Sequence, residues 1–412
     1  MAVWRKLILW GGLGVSALAL AAVALAYGVL RASLPPLDGE VTLAGLEQEV
    51  VIERDELGVA TLTGANRLDL SRAMGFLHAQ ERLFQMDLLR RTSSGEIAAV
   101  VGPQARDWDI YIRRHRLRHR AKGILTALSD AERRHLEAYA NGVNAGIDHL
   151  AAAPFEYWLF NQSPRPWQPE DSLLVVFAMY LQLQDPEGIF EELRGLLTDT
   201  VGVAVADFLM PPGTPWDAPL VGESMAPPPI PGPEFFDARR LALADTAPAP
   251  VVATAPHHPL WGPAPRVALG SNNFAVGGAL TDHGGAILAN DMHLALRVPN
   301  TWYRLALVYP GDDGGQRRVV GLTLAGTPVV AVGSNGDVAW GFTNSYGDWT
   351  DLITLLPGEG DNHYRTPDGE APLVTFTETI AVAGEESVEV SYLETPWGPL
   401  GNPDLAGHPR AV

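Results

Sequence analysis

Leu269-Gly270-Ser271-Asn272-Asn273-Phe274-Ala275-Val276-Gly277 is the stretch on which the reading of this chain turns. It marks a change of texture. Before it, residues 211–265 hold 15 prolines in 55 positions, a density that permits neither helices nor central strands and reads as a spacer. Upstream of the spacer the patterning is mainly helical. Downstream, 272–280, 286–290, 302–309, 318–325, 328–333, 337–343 and 373–393 are rich in Val, Ile, Leu and Thr and are punctuated by Gly, Asp and Pro, the texture of strands. Helices, then a spacer, then strands is a segregated α+β layout.

The chemistry of the junction follows from its position. If the Gly270–Ser271 bond were cut, Ser271 would become a new N-terminus. Its α-amino group, with a pKa of about 8, keeps an appreciable unprotonated fraction near neutrality and can take the proton of its own hydroxyl. Nucleophile and base would then be one residue. The competing reading is plain turn chemistry, since Gly-Ser-Asn is common in turns. Other constellations are missing: no G-x-S-x-G elbow, H-E-x-x-H helix, P-loop or EF-hand loop occurs, and the eleven histidines are scattered.

Composition narrows the classes further. With 47% apolar and 19% charged residues the 412-residue chain can bury a sizeable core. Its 29 basic against 48 acidic residues leave a net charge of −19, which argues against sequence-independent nucleic-acid binding. There is no cysteine, so disulfides, thiolate metal sites and cysteine nucleophiles are excluded. Residues 7–30, LILWGGLGVSALALAAVALAYGVL, carry no charge and follow Arg5-Lys6. That run is long enough to span a bilayer, and its basic flank predicts a cytoplasmic start. A cleaved signal peptide with processing near Ala24-Leu25-Ala26 is the alternative. Either predicts export to the periplasm or cell surface, with membrane attachment through 7–30 if that segment is kept. The domain expectation is a signal or anchor over 1–32, a helical part over 33–210, the spacer over 211–270 and a strand-rich part over 271–412. The end at Ala411-Val412, in a Pro/Gly-rich stretch, is expected to hold no helix or strand, and the chain is expected to be incomplete there.

Local signals place the other elements. Val50–Ile52 and Val59–Leu62 flank the turn-like Asp55-Glu56-Leu57-Gly58, a hairpin. Asp69 is the expected N-cap of a helix to about Thr92 with Ala73, Phe76, Leu77, Leu83, Phe84 and Leu88 on its apolar face. Ser129 and Glu132 form a capping box before a helix over 130–150. Pro169 opens a segment to about Leu183, and a helix over about 187–199 carries Glu191 and Glu192. The basic run Arg113–Lys122 is expected to be a solvated face paired with surplus acids.

The residues around the junction are similar to those of a known family. Gly270–Val276, then Leu288-Ala289-Asn290-Asp291-Met292-His293-Leu294, then Val298-Pro299-Asn300-Thr301-Trp302-Tyr303, resemble the start of the β-subunit of penicillin acylases. Gly333-Ser334-Asn335-Gly336-Asp337-Val338-Ala339-Trp340-Gly341-Phe342-Thr343-Asn344, leading into Asp348-Trp349-Thr350-Asp351, resembles a later stretch of the same subunit. Glu53-Arg54-Asp55, Ala73–Asp87, Arg90-Arg91, Glu137–Asn144 and Pro166-Trp167 are similar to the α-subunit, and the order along the chain agrees. Phe274, Met292 and Ser334 depart from the family's usual Trp, Pro and His.

The resemblance implies an N-terminal-nucleophile hydrolase fold, four-layered αββα, incomplete at the C-terminus. It implies a precursor that cuts itself between Gly270 and Ser271 into an α/β heterodimer. Ser271 would be the nucleophile, the backbone N–H of Asn344 one oxyanion donor, and His293 a residue holding the serine amine and nearby backbone. Asn272 and Asn273 would hold the loop. Glu192, Asp348, the Thr350 carbonyl and Asp351 match positions for one structural calcium ion, and no organic cofactor is implied. The family's oxyanion asparagine would lie beyond residue 412. The expected activity is that of an exported amidase acting on an N-acyl small molecule: a β-lactam side-chain amide, an acyl-homoserine lactone or a related compound. The alternative is a membrane-tethered binding module, or an inactive fragment.

Overall fold

The computed structural model describes residues 2–185, 188–211, 213–214, 219, 221–235, 237, 270–294, 296–344, 347, 349–404 and 407–412. Most of the expected spacer lies outside these residues. Ten α-helices are described: α1 Ala2–Ala32, α2 Arg67–Ser94, α3 Ala98–Val101, α4 Arg106–Arg113, α5 Leu117–Ala127, α6 Asp130–His149, α7 Phe155–Leu159, α8 Pro169–Leu183, α9 Ile189–Val201 and α10 Val203–Leu209. The strands are β1 Val50–Arg54, β2 Ala60–Gly64, β3 Ser271–Val276, β4 Ile287–Met292, β5 Trp302–Pro310, β6 Gln316–Leu324, β7 Val330–Ser334, β8 Ala339–Trp340, β9 Ile353–Thr354, β10 His363–Thr366, β11 Gly369–Pro372, β12 Val374–Ile380, β13 Val388–Thr395, β14 Gly398–Pro399 and β15 Arg410–Ala411. The chain divides into two compact units.

The first unit takes Met1–Gln182, Ala264–Ser345 and Ile380–Ser387, so it draws on residues from both sides of Gly270–Ser271. Its centre is a six-stranded sheet in the order β1-β2-β5-β6-β7-β8. The β1–β2 hairpin forms as its turn residues predict. Its role is not local: β2 pairs in parallel with β5, Ala60 opposite Leu305 and Thr63 opposite Val308. The remaining rungs of the sheet are antiparallel. The helices-then-strands layout therefore needs a correction, because an N-terminal hairpin is built into the later strands.

Helix α2 packs on β1 and β2 and runs along α6. Ser129 caps α6 as expected, its hydroxyl accepting from the Glu132 N–H while Glu132 reaches back. The cap of α2 is Asn66, not Asp69: Asn66 accepts from the Asp69 N–H. The Asp69 carboxylate instead accepts from the Glu47 and Gln48 N–H groups, 3.0 Å each. Close approach of α2 and α6 requires glycine. A Cβ on Gly142 would lie 1.9 Å from the Arg72 carbonyl oxygen, and one on Gly75 would lie 2.2 Å from that of Tyr139.

Two polar networks run through this core. Asp87 and Asp171 share Arg90, at 2.7 and 2.6 Å, and both carboxylates are 1% exposed. Arg91 adds 3.0 Å to Asp87, the Tyr157 hydroxyl donates to Asp87, and Arg118 bridges Asp171 and Glu96. Arg118 belongs to the basic run, so that run is not simply a solvated face: part of it neutralises buried acids. In the second network His78 Nδ1 meets the Tyr139 hydroxyl at 2.7 Å, Thr323 Oγ1 meets His78 Nε2 at 3.2 Å, and the Gly326 N–H donates to Tyr139. Burial, with Arg82 nearby, pulls the His78 pKa down to about 3, so its imidazole is neutral.

The second unit comprises the described residues of Leu183–Pro263, Tyr346–Thr379 and Val388–Val412. Here α9 and α10 accompany a β10–β11 hairpin, the β13–β14 pair and a short β9–β15 pair. Leu355, Tyr364 and Ala411 form its core. The β9–β15 pair corrects the expectation of an unstructured end, since Arg410 and Ala411 form a strand opposite Thr354 and Ile353.

Candidate active site

Ser271 opens β3, and β3 pairs antiparallel with β4 from Ser271–Met292 to Val276–Ile287. The ladder extends one residue before the serine. The Gly270 carbonyl accepts from the His293 N–H at 3.3 Å and from the Ser271 hydroxyl at 2.7 Å. Two donors thus converge on the carbonyl oxygen of the bond that sequence reasoning marks for cleavage. A methyl on Gly270 would come 3.1 Å from His293 Nδ1, so the imidazole lies against this glycine.

The His293 ring is held by its neighbours on the hairpin. Its Nε2 meets Asp291 Oδ2 at 3.1 Å and Asn272 Nδ2 at 3.4 Å. One ring nitrogen cannot donate to the Asp291 carboxylate and accept from the Asn272 amide at once, so the shorter Asp291 contact is the bond that sets the ring and Asn272 lies beside it. Asp291 was not singled out; its pattern, an acid two residues before a histidine on a strand, places both on one face.

Asn344 follows β8 in a segment without regular structure. That segment is tied to the hairpin by Asn290, whose Nδ2 donates to the Phe342 carbonyl at 3.0 Å and whose Oδ1 accepts from the Phe342 N–H at 3.1 Å. The structure therefore joins the partner strand of Ser271's strand to the segment of Asn344 through a side chain that sequence reasoning gave no role.

A second serine–histidine pair, Ser71 Oγ to His135 Nδ1 at 2.8 Å, lines a cavity of about 460 Å³ between α2, α6 and the sheet. Ser71 also donates to the Arg67 carbonyl one helical turn back, which is ordinary helix back-bonding.

The calcium candidates belong to the second unit, and Asp348 lies outside the described residues. Glu192 forms an ion pair with Arg410 at 3.1 Å. The Thr350 hydroxyl donates to the Asp185 carbonyl at 2.7 Å, and Asp351 is exposed. Among the described residues no group of three or more His, Asp or Glu side chains is placed to hold a metal. Calcium requires six to eight oxygens, so the described donors by themselves do not fit it.

The sequence profile of penicillin amidases matches residues 49–410. The chain belongs to the penicillin amidase family. It is 32% identical over 382 residues to the penicillin acylase 2 proenzyme of Pseudomonas sp. (strain SE83), covering 92% of this chain and 46% of that protein. It is also 32% identical over 389 residues to the acyl-homoserine lactone acylase QuiP of Pseudomonas aeruginosa, with 90% and 42% coverage. Penicillin G acylase of Escherichia coli is 28% identical over 369 residues, with 81% and 43% coverage. The chain thus spans a little under half the length of these relatives. Among solved structures, the thermostable penicillin G acylase of Alcaligenes faecalis in its tetragonal form is 28% identical, covering 44% of this chain and 100% of the matched chain, at a TM-score of 0.38.

Proposed function

We propose that this chain is an exported, self-processing amidase that hydrolyses the amide bond of an N-acyl small molecule through an acyl-enzyme on Ser271. The observation that carries the reading is the Gly270 carbonyl, met by the Ser271 hydroxyl at 2.7 Å and the His293 N–H at 3.3 Å. In processing, Ser271 Oγ adds to the Gly270 carbonyl carbon, the C–N bond breaks and the amine takes a proton. The resulting ester is hydrolysed by water, leaving a Gly270 carboxylate and a free Ser271. In turnover, the freed α-amine takes the hydroxyl proton as Oγ attacks the substrate amide. The protonated amine then passes that proton to the leaving amine, and water resolves the acyl-enzyme. Asn344 supplies one backbone oxyanion donor in this scheme, and His293, oriented by Asp291, holds the amine.

Support for processing comes from the architecture of the first unit, in which β2 and β5 pair across the cut. With β1 and β2 before the bond and β5 to β8 after it, one sheet holds the two pieces together as an α/β heterodimer. The relatives named a proenzyme and acylases support an N-acyl substrate, either a β-lactam side-chain amide or an acyl-homoserine lactone. Four αββα layers belong to the same proposal. So does export: Trp10–Ala32 is long and apolar enough to cross a membrane by length and composition, and its described side chains are exposed. A structural calcium held by Glu192, Asp348, Thr350 and Asp351 would require Glu192 to exchange Arg410 for the cation, and no step depends on it.

The test is intact-mass analysis of the expressed chain with N-terminal sequencing. The expected result is a fragment beginning at Ser271 that Ser271→Ala abolishes, with release of free amine from a panel of N-acyl β-lactams and homoserine lactones. An uncut chain without amine release overturns the proposal and favours the non-catalytic binding module.

A further inference from the structure

We infer that Asn290 is a positioning residue whose carboxamide fixes the segment carrying Asn344 against the nucleophile strand. This rests on the roles proposed above for Ser271 and Asn344, and it assigns a function to a side chain on the neighbouring strand. Asn290 lies on β4 opposite Asn273, two residues along the ladder from the Ser271–Met292 pair. Its carboxamide grips both backbone polar groups of one residue, donating to the Phe342 carbonyl and accepting from the Phe342 N–H. A carboxamide is the side chain that presents a donor and an acceptor side by side, as a neighbouring strand would. The side chain therefore replaces a ladder rung where β8 has already ended at Trp340.

Two further observations make this a seat for the segment. Gly341 leaves no room for a side chain: its Cβ would stand 2.8 Å from Asn290 Oδ1 and 3.1 Å from Asn273 Nδ2. The backbone at 341 thus rests directly on the two asparagine amides of the hairpin. Phe342 itself is 49% exposed, so apolar burial does little to hold the segment there. With β8 finished and Phe342 exposed, the Asn290 pair is the described polar anchor between the hairpin and the residues leading to Asn344. An oxyanion donor works only when it is already in place, and a displacement of about 1 Å can lower a rate on the order of 100-fold.

The experiment compares Asn290→Ala, Asn290→Asp and Gly341→Ala with the wild-type chain. It reads hydrogen exchange at the Phe342 amide, appearance of the Ser271 fragment, and kcat separately from KM. Asn290→Ala is expected to lose protection at Phe342 and to lower kcat roughly 10- to 100-fold, with KM within about threefold, while self-cleavage persists. Asn290→Asp keeps an acceptor for the Phe342 N–H and is expected to fall between the two. Gly341→Ala displaces the same backbone without changing a hydrogen-bonding group, and it decides the matter if Asn290→Ala does not fold. Unchanged exchange at Phe342 in Asn290→Ala overturns the clamp whatever the activity. Lost protection with unchanged kcat overturns its positioning role. A wild-type chain that neither cuts itself nor releases amine overturns the Ser271 reading instead, while the exchange measurement still judges the contact.

Discussion

Helix α2 and the β3–β4 hairpin belong to the same unit and are built on opposite principles. In α2, 20 of 28 residues are buried, among them His78, Asp87 and Arg90, answered by Tyr139, Tyr157 and Asp171 from other elements, and Arg91, which pairs with Asp87 on its own helix. In the hairpin no residue is buried, and the polar groups at its open end answer one another locally, Ser271 to Gly270 and His293 to Asp291, while Asn290 reaches out to Phe342. A buried ionic network is held by the fold and breaks with it. An open hairpin is held by its own ladder and can tolerate side-chain change with little effect on stability. The difference separates what makes the protein fold from what is proposed to make it react.

That separation can be broken in graded steps. Gly142→Ala drives a methyl into the Arg72 carbonyl, backbone against backbone. It is expected to destabilise by more than about 4 kcal/mol, or to prevent accumulation of folded protein, as judged by denaturant titration. Arg90→Met strands Asp87 and Asp171 without their shared cation. The expected loss is about 3 kcal/mol, read as a lowered Tm, because two buried carboxylates lose their shared cation and keep only Arg91 and Arg118.

Two buried titrating groups are expected to give opposite slopes. His78 is neutral when folded, with its pKa pulled down to about 3 by burial. The unfolded chain binds a proton that the folded one refuses, so stability present above about pH 6.5 is lost as pH falls toward 3, on the order of 2–4 kcal/mol. His78→Gln is expected to flatten that acid limb in a comparison of denaturation midpoints. Asp109 accepts from the Ile97 and Ala98 N–H groups, yet burial outweighs those bonds and raises its pKa to about 7. The folded state then holds its proton more tightly, so stability falls as pH rises from about 4 to 7. Asp109→Asn is expected to recover on the order of 1–2 kcal/mol at pH 7 relative to pH 5. At the other end of the scale, Ser271→Ala on the open hairpin is expected to change stability by less than about 0.5 kcal/mol while abolishing the cut. A large loss of stability from Ser271→Ala would erase the contrast between the two regions.

What could be read in advance divides along the same line. The Ser129–Glu132 capping box, the proline that opens α8 and the β1–β2 hairpin are local devices, visible in a few consecutive residues. The cap of α2 was misplaced because Asp69 spends its carboxylate on Glu47 and Gln48, more than twenty residues upstream. Asp87 and Arg90 look like an exposed helix pair until Asp171 and Tyr157 close over them. The β2–β5 pairing joins segments some 240 residues apart, and β15 is two residues long, so neither has a propensity signature. At the candidate site Gly270, Ser271 and His293 stand in short stretches of sequence that could be singled out in advance. The Asn290 clamp was not, because it depends on the β3–β4 register and on a loop fifty residues further on.

The parallel rungs between β2 and β5 have a practical consequence. They make the first unit a natural candidate for fragment complementation: one piece contributes the edge hairpin, the other the four remaining strands. Residues 1–270 and 271–412, expressed as separate polypeptides, each carry one half of the same seam, and each alone presents unpaired backbone as a site for aggregation. Mixed during refolding, they template one another, whereas strand-breaking proline at Leu62 or Leu307 leaves both pieces insoluble.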